Sequence, residues 1–251
     1  METTIERIAD EIARGTRVLL LVRHAERPRI SNEDMTFGAS LPLTAAGERM
    51  SRDFGAKLRA AAAHATVQFR ASPLRRTVLT AQLIAEGMGR DPGPIETDAQ
   101  IGNSGAFVSD ERELWECFRD TLFFEHMGEY FRDGVQRGFN PLAAATEGYE
   151  RYVLSRFTAQ VGIFTTHDVF VAAYLHGKGV KTDFCKANGV NHPVISENSG
   201  WYLRTPLMPA FFRGEPKIAQ FVAGVNSDAG LEECGVAYNS NGVVPAICVN
   251  Y

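Results

Sequence analysis

The sequence lacks several features that would assign it to common classes of protein. No stretch approaches the roughly 20 consecutive apolar residues of a membrane span. No lysine- or arginine-rich tract predicts a nucleic-acid surface, and the net charge is −4. The four cysteines lie far apart in the sequence, which favours free thiols over disulfides. Residues 1–17 alternate charged and apolar positions, as in a short amphipathic helix and unlike a signal peptide. We therefore expect a soluble, cytoplasmic protein that binds neither membranes nor nucleic acids.

Apolar runs and helical periodicity alternate along most of the chain. At 251 residues and 45% hydrophobic, the chain can bury the core of one α/β domain with an insertion. Strands are predicted at 18–22, 66–71 and 94–101, from Val161, and, in the tail, at 200–204 and 217–222. Helices are predicted from Thr44 to about His64, from Arg75 to Gly87 or Gly89, at 146–160 and at 169–176. This order predicts a three-layer α/β sandwich with a mostly parallel central sheet and helices on both faces. We predict a single domain over residues 1–251, with residues 102–148 inserted over the active site.

Reactive and cationic side chains follow three of the predicted strands. Arg23 and His24 end the first strand, with Arg27 close behind, and the later groups are Ser72 with Arg75 and Arg76, and His167 with Asp168. The carboxyl ends of parallel strands meet at one edge of a sheet, so these groups are expected to converge. Guanidinium forks bind phosphoryl groups well and would repel a divalent metal. We therefore expect a phosphate-ester site without a metal or another cofactor.

The three motifs resemble those of the histidine phosphatase superfamily, which contains phosphoglycerate-mutase-like and acid-phosphatase-like enzymes. The family pattern R-H-G stands here as Arg23-His24-Ala25, S-P-L-x-R-x-x-x-T-A as residues 72–81, and the late histidine as His167. The resemblance implies a phosphoglycerate-mutase-like fold. It also implies that His24 attacks phosphorus and that Arg23, Arg76 and His167 hold the phosphoryl oxygens. The motif spacing selects Arg76 over Arg75.

The resemblance also bears on the proton donor. In the mutase-like branch the donor is a glutamate, but residues 97–103 offer Gly102 and Asn103 instead. In the acid-phosphatase branch the donor follows the second histidine, which gives Asp168 here. That branch also has a second arginine in its first motif, which makes Arg27 a further phosphate contact. A helix-capping role for Asp168 is the alternative, and Glu111 and Glu113 are then the other candidate donors.

These residues predict a phosphatase that hydrolyses a small-molecule phosphomonoester through a phosphohistidine. The alternatives are a phosphomutase or phosphotransferase of the phosphoglycerate mutase type, and a non-catalytic phosphoester-binding module. The oligomeric state is left open, a homodimer included, as are the substrate and the role of residues 181–251.

Other polar and aromatic residues are interpreted as structural. Ser72 is interpreted as a helix N-cap whose hydroxyl need not touch substrate. The remaining histidines are expected to be solvated or to flank helices and turns. The inserted segment has an aromatic cluster that is expected to form its core, with a lid over an organic leaving group as the alternative; its members are Trp115, Phe118, Phe123, Phe124, Tyr130 and Phe131.

Overall fold

The computed structural model describes residues 2–3, 5–28, 30, 34, 36, 38–102, 105–119 and 123–179, together with short strands between residues 190 and 249. The strands are β1 (Glu2–Thr3), β2 (Arg17–Arg23), β3 (Val67–Ala71), β4 (Glu96–Thr97), β5 (Val161–Thr166), β6 (Val190–Asn191), β7 (Val194–Ile195), β8 (Ile218–Asn226), β9 (Gly230–Val236) and β10 (Ala246–Val249). The helices are α1 (Ile5–Ala13), α2 (Ala45–Leu58), α3 (Arg75–Gly87), α4 (Glu111–Arg119), α5 (Phe123–Asp133), α6 (Leu142–Arg156) and α7 (Asp168–Gly177).

The central sheet is mostly parallel. Its strand order is β1-β9-β10-β8-β2-β5-β3-β4, and β2, β5, β3 and β4 run parallel to one another. On the other side of β2 lie β8 and β10, both parallel to it, and β9 pairs antiparallel with both β8 and β1. β2 and β5 are buried along almost their whole length, as expected of strands covered on both faces. The fold is therefore the predicted α/β class with a mostly parallel sheet.

Two hydrophobic clusters cover the two faces of the sheet. Leu19, Leu21 and Phe164 point into the cluster formed with α6 and α7. Val18, Leu20 and Val22 point into the other cluster, which contains residues of α1, α2 and α3. The alternation along β2 follows from the period-2 geometry of a strand. Helices thus pack on both faces of the sheet, as the sequence predicts.

Glycines bring α2 and α3 close together. A Cβ on Gly55 would collide with the backbone carbonyl of Ile84, and one on Gly87 with that of Arg52. Glycine is required at both positions because the two helix backbones touch there. Thr44 caps α2 as predicted, since its Oγ1 accepts a hydrogen bond from the backbone N–H of Gly47 at 3.0 Å.

Several predicted element boundaries are wrong. The strand predicted at 94–101 is limited to β4, because the Asp98 side chain accepts from the Gln100 N–H and starts a 3-10 turn at Ala99–Ile101. The helix predicted at 146–160 is α6, which begins and ends four residues earlier. Pro141 stands immediately before it, where proline is compatible with a helix start. α2 ends at Leu58, short of His64.

In the tail, β8 contains most of the strand predicted at 217–222, whereas the strand predicted at 200–204 lies outside the described residues. None of the helices in the described part of the chain has the length and apolar character that a transmembrane span requires.

The described residues between β4 and α6 include α4 and α5, and contacts join the start of this stretch to its end. Val108 and Phe139 form an isolated antiparallel bridge, and the Asn140 amide donates to the carbonyl of Ala106 at 2.9 Å. Tyr130 is fully buried, and its hydroxyl donates to the Asn140 carbonyl at 2.7 Å. These bonds tie the start of the stretch to its end.

Candidate active site

The ends of β2, β5 and β3 place three polar residues side by side. The backbone N–H of His24 donates to the Thr166 carbonyl at 2.9 Å, and that of Ser72 donates to the Thr165 carbonyl at 2.9 Å. The sheet ladder therefore continues one residue beyond β2 and β3. His167 follows β5 directly and is the N-cap residue of α7. The predicted convergence of the three motifs is present in the structure.

His24 is 98% buried and its ring has a defined orientation. Its Nδ1 lies 2.8 Å from the Ala25 carbonyl oxygen. A carbonyl only accepts, so Nδ1 carries the hydrogen and Nε2 keeps its lone pair. Burial lowers the pKa of His24 well below its ordinary value, and the charges of Arg23 and Arg76 lower it further. His24 is therefore a neutral imidazole whose Nε2 can attack an electrophile.

Three arginines surround the two histidines and form with them a cationic cage. Arg23 and Arg76 are about 95% buried, and Arg27 is half-buried. Burial lowers the pKa of Arg76 to about 9 and that of Arg27 to about 10, so both remain charged at neutral pH. Asp168 offsets part of this charge, since its Oδ2 lies 3.7 Å from Nη2 of Arg23. Three cations and one carboxylate give the site a positive net charge that a bound dianion can neutralise.

Arg76 and Arg75 differ as the motif spacing predicts. Arg76 donates to the Gly38 carbonyl at 3.0 Å, and its second Nη lies 3.4 Å from Nδ1 of His167. Arg75 is exposed and donates to the Ser40 carbonyl at 3.3 Å. The structure therefore brings Arg76, and not Arg75, to the histidines.

His167 faces His24 across the site, with ring centroids 5.4 Å apart. Its Nε2 lies 2.8 Å from the Ser72 hydroxyl oxygen. Burial lowers the pKa of His167 well below its ordinary value, followed by the charges of Arg76, Arg27 and Arg23. Both imidazoles are therefore neutral in the structure.

The candidate proton donors lie in different surroundings. Asp168 begins α7; its Oδ1 accepts from the Val169 N–H at 2.9 Å, while Oδ2 faces Arg23. Its carboxylate thus accepts from a backbone N–H in the first turn of α7 and also borders the site. Glu113 accepts from Nε of Arg137 at 2.9 Å in the inserted stretch, and Glu111 is exposed at the start of α4. Of these carboxylates, Asp168 is the one paired with an arginine of the site.

The sequence interpretation of Ser72 as an N-cap is wrong. Leu74 occupies the N-cap position of α3 and forms no side-chain cap bond, whereas the Ser72 hydroxyl contacts His167. The position of Ser72 directly after a strand is the signal that could have suggested this contact.

Gly102 is a second residue whose role the sequence does not reveal. A Cβ there would lie 2.7 Å from Ser72 Cβ, 2.9 Å from Thr166 Oγ1 and 3.0 Å from His167 Cδ2. No side chain fits at this position without displacing His167. Asn103, the neighbouring residue of the missing glutamate motif, lies outside the described residues.

The remaining predictions concern residues outside this site. His64 is exposed, His126 lies 3.8 Å from Glu129, and His176 stacks on Phe131 with ring centroids 4.2 Å apart. Trp115 and Tyr130 are buried, which favours the core interpretation of the aromatic cluster. The side chains of Phe118, Phe123 and Phe124 and all of His192 lie outside the described part of the chain. Among described residues, no group of three or more His, Cys, Asp or Glu could hold a metal ion.

Comparison with known proteins gives one family match and a set of similar structures. Residues 19–106 match the model of the histidine phosphatase superfamily, branch 1. No curated protein matches the sequence. A mutant phosphoserine phosphatase from Entamoeba histolytica with bound phosphoserine is 14% identical over 63% of this chain and 78% of its own, with a TM-score of 0.41. A putative alpha-ribazole-5'-P phosphatase from Escherichia coli is 19% identical over 64% of this chain and 78% of its own, with a TM-score of 0.41. The ecdysone phosphate phosphatase from Bombix mori with tungstate is 16% identical over 65% of this chain and 78% of its own, with a TM-score of 0.36.

The matched range contains the first two motifs, Arg23-His24 and Ser72 to Ala81, and ends just beyond Gly102. The superfamily comprises phosphatases and mutases that act on phosphoesters, so an activity of this broad type is supported. Residues 19–106 are therefore similar to the histidine phosphatase superfamily, as the motifs predict.

Proposed function

We propose that the protein hydrolyses a small-molecule phosphomonoester through a phosphohistidine formed on His24. The observation that supports this most is the state of His24 itself: Nδ1 is bound to the Ala25 carbonyl, and Nε2 carries a lone pair among three arginines. A neutral, oriented imidazole beside fixed cations has what nucleophilic attack on a phosphate dianion needs.

In the first step, Nε2 of His24 bonds to phosphorus and the bond from phosphorus to the ester oxygen breaks. Arg23, Arg27 and Arg76 stabilise the phosphoryl oxygens as charge shifts during the transfer. Asp168 gives its proton to the leaving oxygen, so the alcohol departs neutral. In the second step, water attacks phosphorus, Asp168 takes the proton from that water, and the bond from phosphorus to Nε2 breaks to release phosphate.

The proposal assigns the donor role to Asp168 because no carboxylate side chain fits at Gly102. That position is closed by Ser72, Thr166 and His167. Asp168 borders the site through Arg23. Glu113 is held by Arg137 and remains the alternative donor.

A phosphomutase would use the same first step but return the phosphoryl group to an acceptor alcohol. In residues 97–103, Gly102 and Asn103 stand where mutase-like relatives have their donor glutamate, which favours water as the acceptor. A phosphoester-binding module would form no covalent intermediate. The three alternatives therefore differ in whether a phosphoenzyme forms and in what accepts its phosphoryl group.

Rapid quenching with a labelled phosphoester tests the intermediate. We expect a protein-bound label that is stable in alkali and labile in acid, and that is absent in His24→Ala. Arg75→Ala is the matched control, because Arg75 is exposed and lies outside the cage. If a broad panel of esters gives neither a protein-bound label nor released phosphate, the protein is a phosphoester-binding module and not a phosphatase. Transfer of the label to an added alcohol at the expense of free phosphate would favour the mutase.

The donor is tested by leaving-group dependence. Asp168→Asn should slow hydrolysis of an alkyl phosphate far more than hydrolysis of a nitrophenyl phosphate, because nitrophenolate needs little protonation. Glu113→Gln should slow both esters little. Equal losses for the two esters in Asp168→Asn would exclude Asp168 as the donor, and a selective loss in Glu113→Gln would move the role there.

The proposal includes one domain with residues 102–148 as an insertion that borders the leaving-group side. Phe107 of this stretch packs against Phe170 with ring centroids 6.1 Å apart, and Phe170 lies 6.2 Å from the ring of His167. Neighbouring aromatic rings therefore connect the inserted stretch to His167. This connection supports selection of the alcohol part of the ester by this stretch.

A further inference from the structure

We infer that the Ser72 hydroxyl holds His167 as its Nε2–H tautomer, so that Nδ1 faces the site as an acceptor. When a dianion binds in the site, this Nδ1 takes up one proton from solvent. The inference deepens the proposed function, because it takes the same cage as the anion site. It concerns binding alone and does not require catalysis.

The hydrogen-bond chain beyond Ser72 determines which nitrogen carries the hydrogen. The Thr77 hydroxyl has one hydrogen, and it faces the carbonyls of Leu74 and Ser72 at 2.5 and 2.7 Å. Thr77 Oγ1 is therefore an acceptor toward the Ser72 hydroxyl, which lies 3.2 Å away. Once Ser72 donates to Thr77, its oxygen can only accept from Nε2 of His167. The chain runs in one direction, with the hydrogen of His167 on Nε2.

The other side of the ring gives the same assignment independently. Nδ1 of His167 lies 3.4 Å from Nη2 of Arg76. A guanidinium has donors and no acceptor, so a hydrogen on Nδ1 would point at another hydrogen. Nδ1 therefore carries the lone pair when the site holds no anion.

The arginines around His167 all disfavour a proton on Nδ1. From α3 comes Arg76, from the end of β2 come Arg23 and His24, and Arg27 lies in the segment that follows. Asp168 is the neighbouring residue on α7 and pairs with Arg23. These cations disfavour a proton on Nδ1 until an anion compensates them.

A bound dianion reverses this balance. When a phosphoryl oxygen replaces Arg76 as the neighbour of Nδ1, the lone pair of the oxygen faces the lone pair of Nδ1. Two acceptors without a hydrogen between them repel each other. One proton from solvent then binds Nδ1, forms the N–H bond and gives a cationic imidazolium that donates to that oxygen. The positive charge gained is matched by the anion. If the hydrogen instead moved from Nε2 to Nδ1 without uptake, Nε2 would lose its hydrogen and the chain through Ser72 would have to reverse.

Titration calorimetry with tungstate tests the uptake, since this ion is a dianion throughout the range from about pH 7 to pH 8.5. The wild-type protein is titrated in buffers of different ionisation enthalpy. We expect at least one proton taken up per bound ion in the wild type and close to one in Asp168→Asn, where the proposed donor cannot take up a proton, with a tungstate Kd for that variant that rises about tenfold per pH unit. Nitrogen NMR of His167 in the anion-free protein should show the hydrogen on Nε2.

The matched variants are Ser72→Ala and Arg75→Ala. In Ser72→Ala the ring can change tautomer without reversing a hydrogen-bond chain, so uptake should fall to less than half and the Kd should lose most of its pH dependence. Arg75→Ala should keep the full uptake. If Ser72→Ala misfolds and therefore binds no anion, the wild-type titration alone tests the inference.

The outcomes of these titrations distinguish this inference from the proposed phosphatase. Tungstate binding to the wild-type protein without proton uptake, or no binding at all, overturns the inference, as does a hydrogen found on Nδ1. Uptake that is unchanged in a folded Ser72→Ala shows that Ser72 does not fix the tautomer. Proton uptake in a protein that forms no phosphoenzyme keeps this inference and refutes the proposed phosphatase. Turnover through a phosphoenzyme without proton uptake on anion binding supports the proposed phosphatase and refutes this inference.

Discussion

The two buried histidines make the stability of the protein depend on pH. His24 and His167 have pKa values well below the ordinary value of 6.5, first because of burial and then because of the neighbouring charges. In the unfolded chain both rings titrate near that ordinary value. Below about pH 6.5 the unfolded state therefore binds more protons than the folded state. Stability is fully present above this pH and is lost as the pH falls.

The magnitude follows from proton counting. Each histidine that protonates only on unfolding changes the free energy of unfolding by up to about 1.4 kcal/mol per pH unit. Between about pH 7.5 and pH 5.5, two such groups remove about 2.7 kcal/mol. This is a large part of the roughly 5–15 kcal/mol that stabilises a typical domain.

Urea unfolding followed by circular dichroism at a series of pH values measures this slope. The double variant His24→Asn, His167→Asn removes both groups, so its stability should vary by about 2.7 kcal/mol less over the same range. His64→Asn, at an exposed position, is the control and should retain the wild-type slope. Equal slopes for the wild type and the double variant would refute the reasoning, because the pH dependence would then come from other groups.

Three further predictions follow from contacts around the site. Gly102→Ala should cost about 1–3 kcal/mol of stability and lower kcat, as measured by unfolding and turnover, because its Cβ would collide with Ser72 and His167. Thr80→Val should cost about 1–3 kcal/mol in urea unfolding, since the buried N–H of Ala25 loses its acceptor at 2.9 Å, whereas Thr80→Ser should retain stability. Arg76→Lys should lower kcat/KM at least tenfold, because lysine cannot form a guanidinium fork, whereas Arg75→Lys should change it less than twofold.

The parallel sheet and the convergence of its motifs were predictable because they depend on local patterns. An apolar run such as residues 18–22 reports burial on both faces, and parallel strands have a common carboxyl end. The choice of Arg76 over Arg75 follows from the resemblance to the family pattern S-P-L-x-R, and the structure agrees with it because adjacent residues on a helix point in different directions. These features require no knowledge of distant contacts.

Other features depend on contacts between segments far apart in the sequence. Ser72 and His167 are 95 positions apart, and their hydrogen bond arises from the order of β5 and β3 in the sheet. Gly102 reads as an ordinary loop glycine until Thr166 and His167 are placed beside it. Asp98 starts a turn where residues 94–101 have the apolar and β-branched character of a strand, because a side-chain hydrogen bond competed successfully with the ladder.

The backbone bonds of His24 and Ser72 to β5 have a consequence for the entropy of ligand binding. Both residues belong to the hydrogen-bond ladder, so their backbones are fixed before any ester arrives. A loop that becomes ordered around a ligand loses conformational freedom worth about 1–2 kcal/mol per residue, and this loss is subtracted from affinity. At these two positions the loss has already occurred on folding. More of the attraction between phosphate and the cage therefore remains available to stabilise the transition state.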